Sequence, residues 1–303
     1  MTPTLSIALP VFNGERYLRQ ALDSLLDQTY TDFELLVADN ASTDSTAEIV
    51  AEYAARDTRV RYHRNPENVG AARNFNLAFE LTSGRYFKWA ADDDLLRPEF
   101  LERCVDALER DPGAVLAYPK ARMIDEYGEP ILDYGPPFAT DSDSSATRLD
   151  AMLEYHRCFQ VFGVIRREAL RRTDLIGAYA HGDGVLLARL ALLGRFAEIP
   201  DYLFFPRRHA DQSTSMVGDY WSYAEWFRPE LRGKRTFPHC RMFGEYLRNV
   251  VTAPIPLKER AAALAVLSRF FRLRWTLLRG DILFYLRPKL VAAGVPERLL
   301  HRS

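Results

Sequence analysis

Residues 5–39 decide the fold, and they read LSIALPVFNGERYLRQALDSLLDQTYTDFELLVAD. The apolar run Leu5–Val11 is typical of a buried β-strand. A helical pattern follows, whose apolar face is formed by Leu18, Ala21, Leu22, Leu25 and Leu26. A second apolar run at residues 33–38 completes a strand–helix–strand unit. The sequence therefore predicts two neighbouring parallel strands with a helix packed across them.

The same alternation of strands and helices continues to about residue 120. Ser45 and Glu48 have the spacing of a capping box and predict the start of a second helix. We expect strands at residues 59–63 and 86–90, a helix over 71–81, and a further helix with Pro98 in its first turn. These units predict an α/β, Rossmann-like fold with a mainly parallel sheet flanked by helices.

Beyond residue 120 the pattern is less regular. Residues 136–145 are rich in proline, aspartate and serine, and they predict a loop. We expect a helix over residues 183–193 that ends at Gly194, then short strands at 196–199 and 202–205. From residue 221 onward the chain is predicted to be largely helical.

The composition excludes several classes of protein. The chain has 303 residues, with 40 Lys and Arg against 41 Asp and Glu, so its net charge of −1 provides no field for gathering nucleic acid. Cys104, Cys158 and Cys240 lie far apart and show no zinc-binding spacing, which favours reduced thiols. Because we find no secretory signal and no apolar run of about 20 residues, we expect a cytoplasmic protein.

Chemistry-bearing residues follow three of the predicted strands. Residues 10–15 follow the first strand, residues 39–44 follow the second, and Asp92, Asp93 and Asp94 follow the fourth. The carboxyl ends of parallel strands meet at one edge of a sheet, where ligands bind. The sequence therefore predicts a binding site at this edge.

Three consecutive carboxylates repel one another unless a cation lies between them, and such oxygen ligands suit Mg²⁺ or Mn²⁺. The alternative is that Asp92, Asp93 and Asp94 only cap the helix that begins near Pro98. No GxGxxG or GxxxxGK[ST] motif occurs. Neither a dinucleotide-dependent oxidoreductase nor a P-loop NTPase is therefore supported.

Five segments together resemble the family 2 glycosyltransferases of GT-A fold. They are residues 9–15 (LPVFNGE), 28–35 (QTYTDFEL), 37–44 (VADNASTD), 68–74 (NVGAARN) and 92–94 (DDD). The resemblance implies an inverting enzyme that uses a nucleotide diphosphate sugar. It also implies a catalytic domain over residues 1–215, with nucleotide-sugar binding in 1–120 and the acceptor side in 121–215. Residues 216–303 are then a helical C-terminal extension.

The resemblance assigns roles to residues in the first hundred positions. The implied nucleotide-sugar-binding residues are Pro10, Val11, Phe12, Asn13, Glu15, Asp39, Arg73, Asp92 and Asp93. Asp39 matches the acid that hydrogen-bonds the nucleobase. Arg73 matches a basic residue of the nucleotide pocket, with a helix-surface arginine as the alternative. Asp93 and Asp94 match the metal-binding DXD-type signature, and Ala91 stands where many members carry another Asp.

Two later segments extend the resemblance. Gly182-Asp183-Gly184 resembles the segment that carries the catalytic base, so Asp183 is the predicted base, with a helix N-cap as the alternative role. Residues 207–213 resemble the late loop that closes over the diphosphate. In that loop His209 is predicted as a third metal ligand or phosphate donor, with an ordinary surface histidine as the alternative.

The C-terminal stretch is basic and amphipathic. Residues 254–303 hold ten Lys and Arg against three acids, a local charge of +7. One helix face carries Leu264, Leu267, Phe271, Trp275, Leu278 and Ile282, and the opposite face carries Arg269, Arg272 and Arg279. This amphipathic pattern predicts either peripheral contact with the inner surface of an anionic membrane or packing of the apolar face on the catalytic domain.

The sequence thus predicts a metal-assisted transfer of sugar from a nucleotide diphosphate donor to a glycan or lipid-linked glycan hydroxyl, in surface polysaccharide or related biosynthesis. The alternatives are a sugar-phosphate nucleotidyltransferase and a catalytically inactive GT-A binding protein.

Overall fold

The computed structural model describes residues 3–154, 157–179, 181–210 and 237–292. The first half of the sheet is wholly parallel, with the strand order β3-β2-β1-β4. Its strands are β1 (Leu5–Val11), β2 (Phe33–Asp39), β3 (Val60–Arg64) and β4 (Tyr86–Trp89). The helices that connect them are α1 (Leu18–Leu26), α2 (Thr46–Arg56) and α3 (Ala71–Glu80).

The second half of the sheet is mixed and continues the order as β4-β8-β6-β9-β5, with β7 paired to β6. Its strands are β5 (Leu95–Leu96), β6 (Ala114–Ile124), β7 (Pro130–Tyr134), β8 (Val164–Arg166) and β9 (Arg195–Phe205). Its helices are α4 (Phe100–Arg110), α5 (Ser145–Leu153), a 3₁₀ helix (Phe159–Phe162), α6 (Arg167–Leu170) and α7 (Gly182–Leu193). The predicted α/β class with a mainly parallel, Rossmann-like sheet is confirmed.

Two hydrophobic clusters cover the two faces of the sheet. Residues alternate between them along β1: Ile7 and Leu9 lie in the first cluster, and Ala8 lies in the second cluster. Helices α1, α2 and α4 pack against the first cluster, whereas α5 and α7 pack against the second. This layering leaves the carboxyl ends of β1, β2 and β4 at one uncovered edge.

Three further helices follow, α8 (Pro238–Thr252), α9 (Leu257–Leu273) and α10 (Trp275–Ala292). They extend the second cluster, to which α8 and α9 contribute Phe243, Tyr246, Val250, Ala263 and Leu267. In the part of the chain that the structure describes, none of the helices is both long and apolar enough to cross a bilayer. The boundary predicted at residues 215 and 216 lies outside the described residues.

Several boundaries differ from the sequence predictions. The two strands predicted at 196–199 and 202–205 are one strand, β9, whose register against β6 shifts near Lys120. Ser45 precedes α2 without a side-chain cap, because Asp44 accepts the Thr46 N–H instead (3.1 Å). Pro98 lies before α4 instead of in its first turn.

The amphipathic stretch predicted over 264–282 is likewise divided, because α9 ends at Leu273 and Arg274 separates it from α10. Leu267 is buried and Phe271 and Leu278 pack on the second cluster, whereas Trp275 and Ile282 are exposed.

Candidate active site

The loops after β1 and β2 are fastened to each other at the open edge of the sheet. Asn13 (φ 55°) and Ala41 (φ 63°) take left-handed backbone conformations, which turn each loop sharply after its strand. The bonds between the loops run from Asn13 N–H to Ser42 Oγ (2.9 Å), Thr43 N–H to Asn13 Oδ1 (2.8 Å), Gly14 N–H to Thr46 Oγ1 (3.0 Å), Glu15 N–H to Asp44 Oδ2 (3.0 Å) and Ser45 N–H to Glu15 Oε2 (3.0 Å).

These bonds change the roles expected for the first loop. Asn13 and Glu15, predicted to contact a nucleotide, use their side-chain oxygens to hold the second loop. Pro10 and Val11 are buried in β1 and shape the loop from below. Phe12 has 47% of its surface exposed, so its ring remains available to a ligand.

Asp39 lies at the end of β2 and has no exposed surface. Its Oδ1 accepts the Ser42 N–H (2.8 Å), and its Oδ2 accepts the Tyr62 hydroxyl (2.6 Å). Burial and the Asp39 carboxylate raise the pKa of Tyr62 to about 12, so the phenol stays protonated and keeps donating. Both carboxylate oxygens of Asp39 therefore have partners within the chain, and its role as the acid that binds the nucleobase stays a prediction.

A network of asparagines supports this corner of the site, and the sequence analysis did not single it out. Asn40 Oδ1 accepts the Val69 N–H (2.9 Å) and an Asn65 amide hydrogen (3.1 Å). Asn65 also donates to Asn74 Oδ1 (2.9 Å), and Asn74 donates to the Ala38 carbonyl (2.8 Å). These bonds fix the segment at residues 68–74 against β2.

The position of Arg73 is set by this segment at residues 68–74. It lies in the first turn of α3, beside the network, and its side chain is exposed. Among the described residues it makes no hydrogen bond or ion pair, so its guanidinium is available to an anion at this edge.

The three aspartates after β4 point in different directions. Asp93 Oδ2 lies 3.0 Å from His209 Nε2. Asp94 instead accepts the Arg207 N–H through its Oδ1 (2.9 Å). Asp92 lies against Gly14, where an added Cβ would come within 2.4 Å of Asp92 Oδ2. Asp93 and His209 are therefore the pair whose potential ligand atoms lie next to each other, and the assignment of Asp93, Asp94 and His209 as metal ligands stays a prediction.

The donor set at Asp93 and His209 fits a divalent ion. Burial and the neighbouring Asp93 raise the pKa of both Asp92 and Asp94, so the nearby cations do not fully offset the burial and repulsion of these carboxylates. Mg²⁺ and Mn²⁺ are commonly held by one or two protein ligands and completed by substrate phosphates and water. Two protein ligands at this position would leave the remaining coordination positions of the ion to substrate phosphates and water.

Arg207 lies beneath the aspartates and is 2% exposed. Its guanidinium donates to the Asp93 carbonyl (2.9 Å) and to Gln20 Oε1 (2.8 Å), and it lies 4.5 Å from the centre of the Tyr17 ring. Arg207 therefore holds the aspartate segment in place instead of facing the open edge. The other residues predicted for this loop, Asp211, Gln212 and Ser213, lie outside the described residues.

Asp183 lies in the first turn of α7, and His181, not Asp183, occupies the N-cap position. The Asp183 Oδ1 accepts the Gly184 N–H (2.8 Å), and the carboxylate is about one-third exposed (34%). The Cys158 thiol hydrogen-bonds to it, and burial with this neighbouring carboxylate raises the pKa of the thiol. The alternative of a plain N-cap is therefore wrong, while the role of catalytic base stays a prediction.

A short series of contacts joins Asp183 to the aspartates. Cys158, which contacts Asp183, is followed by Phe159, whose ring lies 5.6 Å from the Arg208 guanidinium. Arg208 in turn interacts electrostatically with Asp93 and Asp94. These contacts link the predicted base to the acidic cluster through Cys158, Phe159 and Arg208.

Lys88 is a further residue that periodicity could not distinguish from the rest of β4. It is 1% exposed, its ammonium donates to the Phe162 carbonyl and lies 4.4 Å from the centre of the Phe100 ring. Burial lowers its pKa to about 7, and Asp94 opposes that shift. Lys88 is thus a further buried cation, besides Arg207, that interacts with the acidic cluster.

A Rossmann-like sheet with acids after its fourth strand and another acid on an adjoining helix is the GT-A arrangement of glycosyltransferases. The family model described as glycosyl transferase family 2 matches residues 6–173, more than half of the chain. The chain belongs to glycosyl transferase family 2.

Relatives share the sequence over part of their length. Chondroitin synthase of Escherichia coli is 35% identical over 129 residues, which are 43% of this chain and 19% of that enzyme. An uncharacterized glycosyltransferase of Rickettsia typhi is 32% identical over 153 residues, 50% of this chain and 46% of that protein. The chain thus spans less than half the length of these two relatives.

Solved structures share the fold. S. aureus TarS 1-349 in complex with UDP-GlcNAc superposes with a TM-score of 0.66 at 16% identity, covering 98% of this chain and 82% of that one. The mannosyltransferase PcManGT from Pyrobaculum calidifontis, in complex with GDP-Man and Mn²⁺, gives a TM-score of 0.55 at 18% identity, covering 97% and 84%.

Proposed function

We propose that this glycosyltransferase moves a sugar from a nucleotide diphosphate donor to an acceptor hydroxyl with inversion, assisted by Mn²⁺ or Mg²⁺. The observation that carries the proposal is the Asp93–His209 pair, 3.0 Å apart, which contacts through Arg208, Phe159 and Cys158 link to Asp183. The complexes of TarS with UDP-GlcNAc and of PcManGT with GDP-Man and Mn²⁺ support a donor and an ion of this kind.

The chain supplies binding at the open edge. In this proposal Phe12 and Arg73, which are both exposed, contact the nucleotide, and Asp39 contacts the base in place of Tyr62. Asp93 and His209 hold the metal ion, with Asp94 as a further ligand if its bond to Arg207 opens. When bound, the ion supplies Lewis-acid charge that compensates the departing diphosphate.

Asp183 performs the proton transfer in this proposal. Its carboxylate takes the hydroxyl proton of the acceptor while the acceptor oxygen forms a bond to the anomeric carbon. The bond from that carbon to the diphosphate oxygen breaks with its electron pair, through an oxocarbenium-like transition state. Attack opposite the leaving group inverts the anomeric centre.

The acceptor is proposed to be a glycan or lipid-linked glycan hydroxyl in polysaccharide biosynthesis, which the resemblance to chondroitin synthase supports.

We also propose that residues 1–215 form the catalytic domain and 216–303 the helical extension, in a cytoplasmic protein. Peripheral membrane contact is proposed at the exposed turn 272–276, where Leu273 and Trp275 alternate with arginines.

Replacement of Asp183 tests the proposal. Asp183→Asn should retain donor binding but lose transfer by on the order of 10²–10⁴-fold, the usual contribution of a general base. Calorimetry measures donor binding, and chromatography of the glycosylated acceptor measures turnover. Asp174→Asn, at an exposed acid nearby (72% exposed), is the matched control and should transfer normally.

Product analysis separates the alternatives. Release of a nucleoside diphosphate and an acceptor glycoside of inverted configuration supports the proposal. Release of pyrophosphate would instead identify a nucleotidyltransferase. Undiminished turnover in Asp183→Asn would remove Asp183 from the mechanism.

A further inference from the structure

A second group of metal-ligating side chains lies where the 3₁₀ helix and α7 begin. The group consists of Cys158, His181 and Asp183. The Cys158 sulfur, one His181 ring nitrogen and one Asp183 carboxylate oxygen all lie within 4.8 Å of one another. The sequence analysis found no zinc-binding spacing, because a long stretch of chain separates Cys158 from His181. The fold brings them together where the 3₁₀ helix and α7 begin.

The backbone at these positions is unusual. Cys158 (φ 55°) and His181 (φ 65°) both adopt the left-handed conformation, which costs a residue with a side chain roughly 1–3 kcal/mol. Each of them occupies the position just before its helix. Two of the three potential ligands are therefore held in strained turns that place them next to Asp183.

The two glycines that flank Asp183 make room for this arrangement. A Cβ at Gly184 would come within 2.3 Å of His181 Nε2, so the imidazole packs directly on the bare Gly184 backbone. A Cβ at Gly182 would come within 2.3 Å of the Gly177 carbonyl oxygen. The Gly-Asp-Gly sequence therefore permits both the tight turn and the position of the ring.

We propose that Cys158, His181 and Asp183 form a binding site for Zn²⁺. One sulfur, one imidazole nitrogen and one carboxylate oxygen are three of the four ligands of a tetrahedral zinc ion, and water takes the fourth position. The side chains of His181 and Asp183 are 40% and 34% exposed, so an ion reaches them from solvent. Cys158 closes the inner side, where it is 4% exposed.

This site differs in chemistry from the Asp93–His209 pair. Zn²⁺ displaces the proton of the Cys158 thiol, which leaves to solvent, and the resulting thiolate favours Zn²⁺ over Mg²⁺ and Mn²⁺. An oxygen-rich site with open positions favours the harder ions. Zinc on Asp183 would also occupy the carboxylate proposed as the base, so Zn²⁺ should inhibit transfer. That effect rests on the proposed function, whereas the binding itself does not.

Cobalt substitution tests the binding in the untagged full-length chain. Co²⁺ should produce the near-ultraviolet charge-transfer band of a thiolate-bound ion, and Zn²⁺ should abolish that band by displacement. Cys158→Ser should remove the band, and Cys240→Ser, the matched control, should retain it. Gly184→Ala keeps all three ligands but displaces the His181 ring, so it should weaken Zn²⁺ binding by roughly 10–100-fold.

Each outcome decides the proposal. A band in the wild-type chain that is lost only in Cys158→Ser supports it, as does weakened binding in a folded Gly184→Ala variant. Absence of a band in the wild-type chain overturns it, and so does a band that survives in Cys158→Ser or full affinity in Gly184→Ala. If the band is present but Zn²⁺ does not inhibit transfer, the zinc site stands and the role of Asp183 as base fails.

Discussion

Asp92 and Asp94 retain their protons more strongly than isolated aspartates, because burial and the adjacent Asp93 raise the pKa of both carboxyls. Such a cluster stores repulsion that a divalent ion relieves. Individual residues at the open edge therefore affect stability and ligand binding in opposite ways, and substitution separates the two effects.

Asp92→Asn should reveal the repulsion as a dependence of stability on pH. Unfolded aspartate ionises near pH 4, but folded Asp92 ionises at a higher pH. Between these two values the folded chain binds more protons, so the unfolding free energy of the wild type falls as the pH rises. The asparagine side chain does not ionise, so the unfolding free energy of the variant does not fall in this way. At about pH 8 without metal it should exceed that of the wild type by roughly 1–2 kcal/mol.

Urea unfolding in the presence of a chelator, at about pH 4, 6 and 8, measures this difference. The advantage of Asp92→Asn should shrink as the pH approaches 4, since the wild-type carboxyl is then protonated in the folded state and increasingly protonated in the unfolded state. An advantage that does not change with pH would contradict the assigned cause.

Asp93→Asn and Asp94→Asn distinguish the metal ligand from its structural neighbour. Asp93→Asn should abolish the additional thermal stabilisation by UDP or GDP that depends on Mn²⁺, because one of the two facing ligands is lost. The amide introduced by Asp94→Asn still offers an oxygen to the Arg207 N–H, so this variant should retain most of that stabilisation. Equal loss in both variants would make Asp94 a ligand, as the DXD-type resemblance implies.

Secondary-structure elements were predictable where apolar periodicity was strong. The bounds of β1 and α1 follow directly from runs of apolar residues at spacings of one strand or one helix face. The single strand β9 and the break at Arg274 were not predictable, because register shifts and helix ends depend on partners distant in sequence. The position of Asp183 was predictable only through the family resemblance.

The roles of site residues were less predictable than their positions. The motifs placed Asn13, Glu15 and Asp39 correctly at the open edge, but not their bonds to Ser42, Thr43 and Ser45. These bonds form only when two loops meet in the fold, and no local spacing encodes them. The same holds for Cys158, His181 and Asp183.

Glu259 in α9 stabilises the start of α5. Its Oε2 accepts from the Ser145 hydroxyl (2.8 Å) and the Ala146 N–H (3.3 Å). Glu259→Ala should lower the unfolding free energy by about 1–2 kcal/mol, the usual cost of removing a helix cap. Lys258→Ala, on an exposed neighbour, is the control.

The effect of Glu259→Ala should depend on pH. Hydrogen bonds from Ser145, Ala146 and Ser144 lower the pKa of Glu259, so its stabilisation is complete above the ordinary glutamate pKa. It is lost as the pH falls through the lowered folded value. Urea unfolding at about pH 7 and pH 3 should show a smaller difference at the lower pH; an equal difference at both would contradict the charge-dependent cap.

At the scale of the molecule, the C-terminal helices complete the core that carries α7. Asn249 in α8 donates to the Val185 carbonyl (3.0 Å), and Arg189 in α7 donates to the Asn249 carbonyl (2.8 Å). Removal of residues from 254 onward would delete Ala263 and Leu267 from the second cluster and uncover the core residues packed against them. Point variants are therefore a cleaner test of membrane contact than truncation.

The exposed turn between α9 and α10 is the place for that test. Leu273 and Trp275 are 73% and 57% exposed and lie beside Arg272 and Arg274. Leu273→Ser with Trp275→Ser should reduce sedimentation with vesicles of mixed phosphatidylcholine and phosphatidylserine several-fold. Leu257→Ser, at an equally exposed position (79%), should sediment like the wild type. Unchanged sedimentation of the double variant would leave these helices as packing elements alone.

The reciprocal bonds between residues 12–15 and 41–46 have a consequence for engineering donor preference. Each loop owes its shape to the other, so a graft of one loop from a relative leaves the remaining loop with mismatched hydrogen-bonding partners. Transplanting both loops as a single unit preserves their shared geometry. Natural divergence in nucleotide choice should accordingly require coordinated replacement in the two segments.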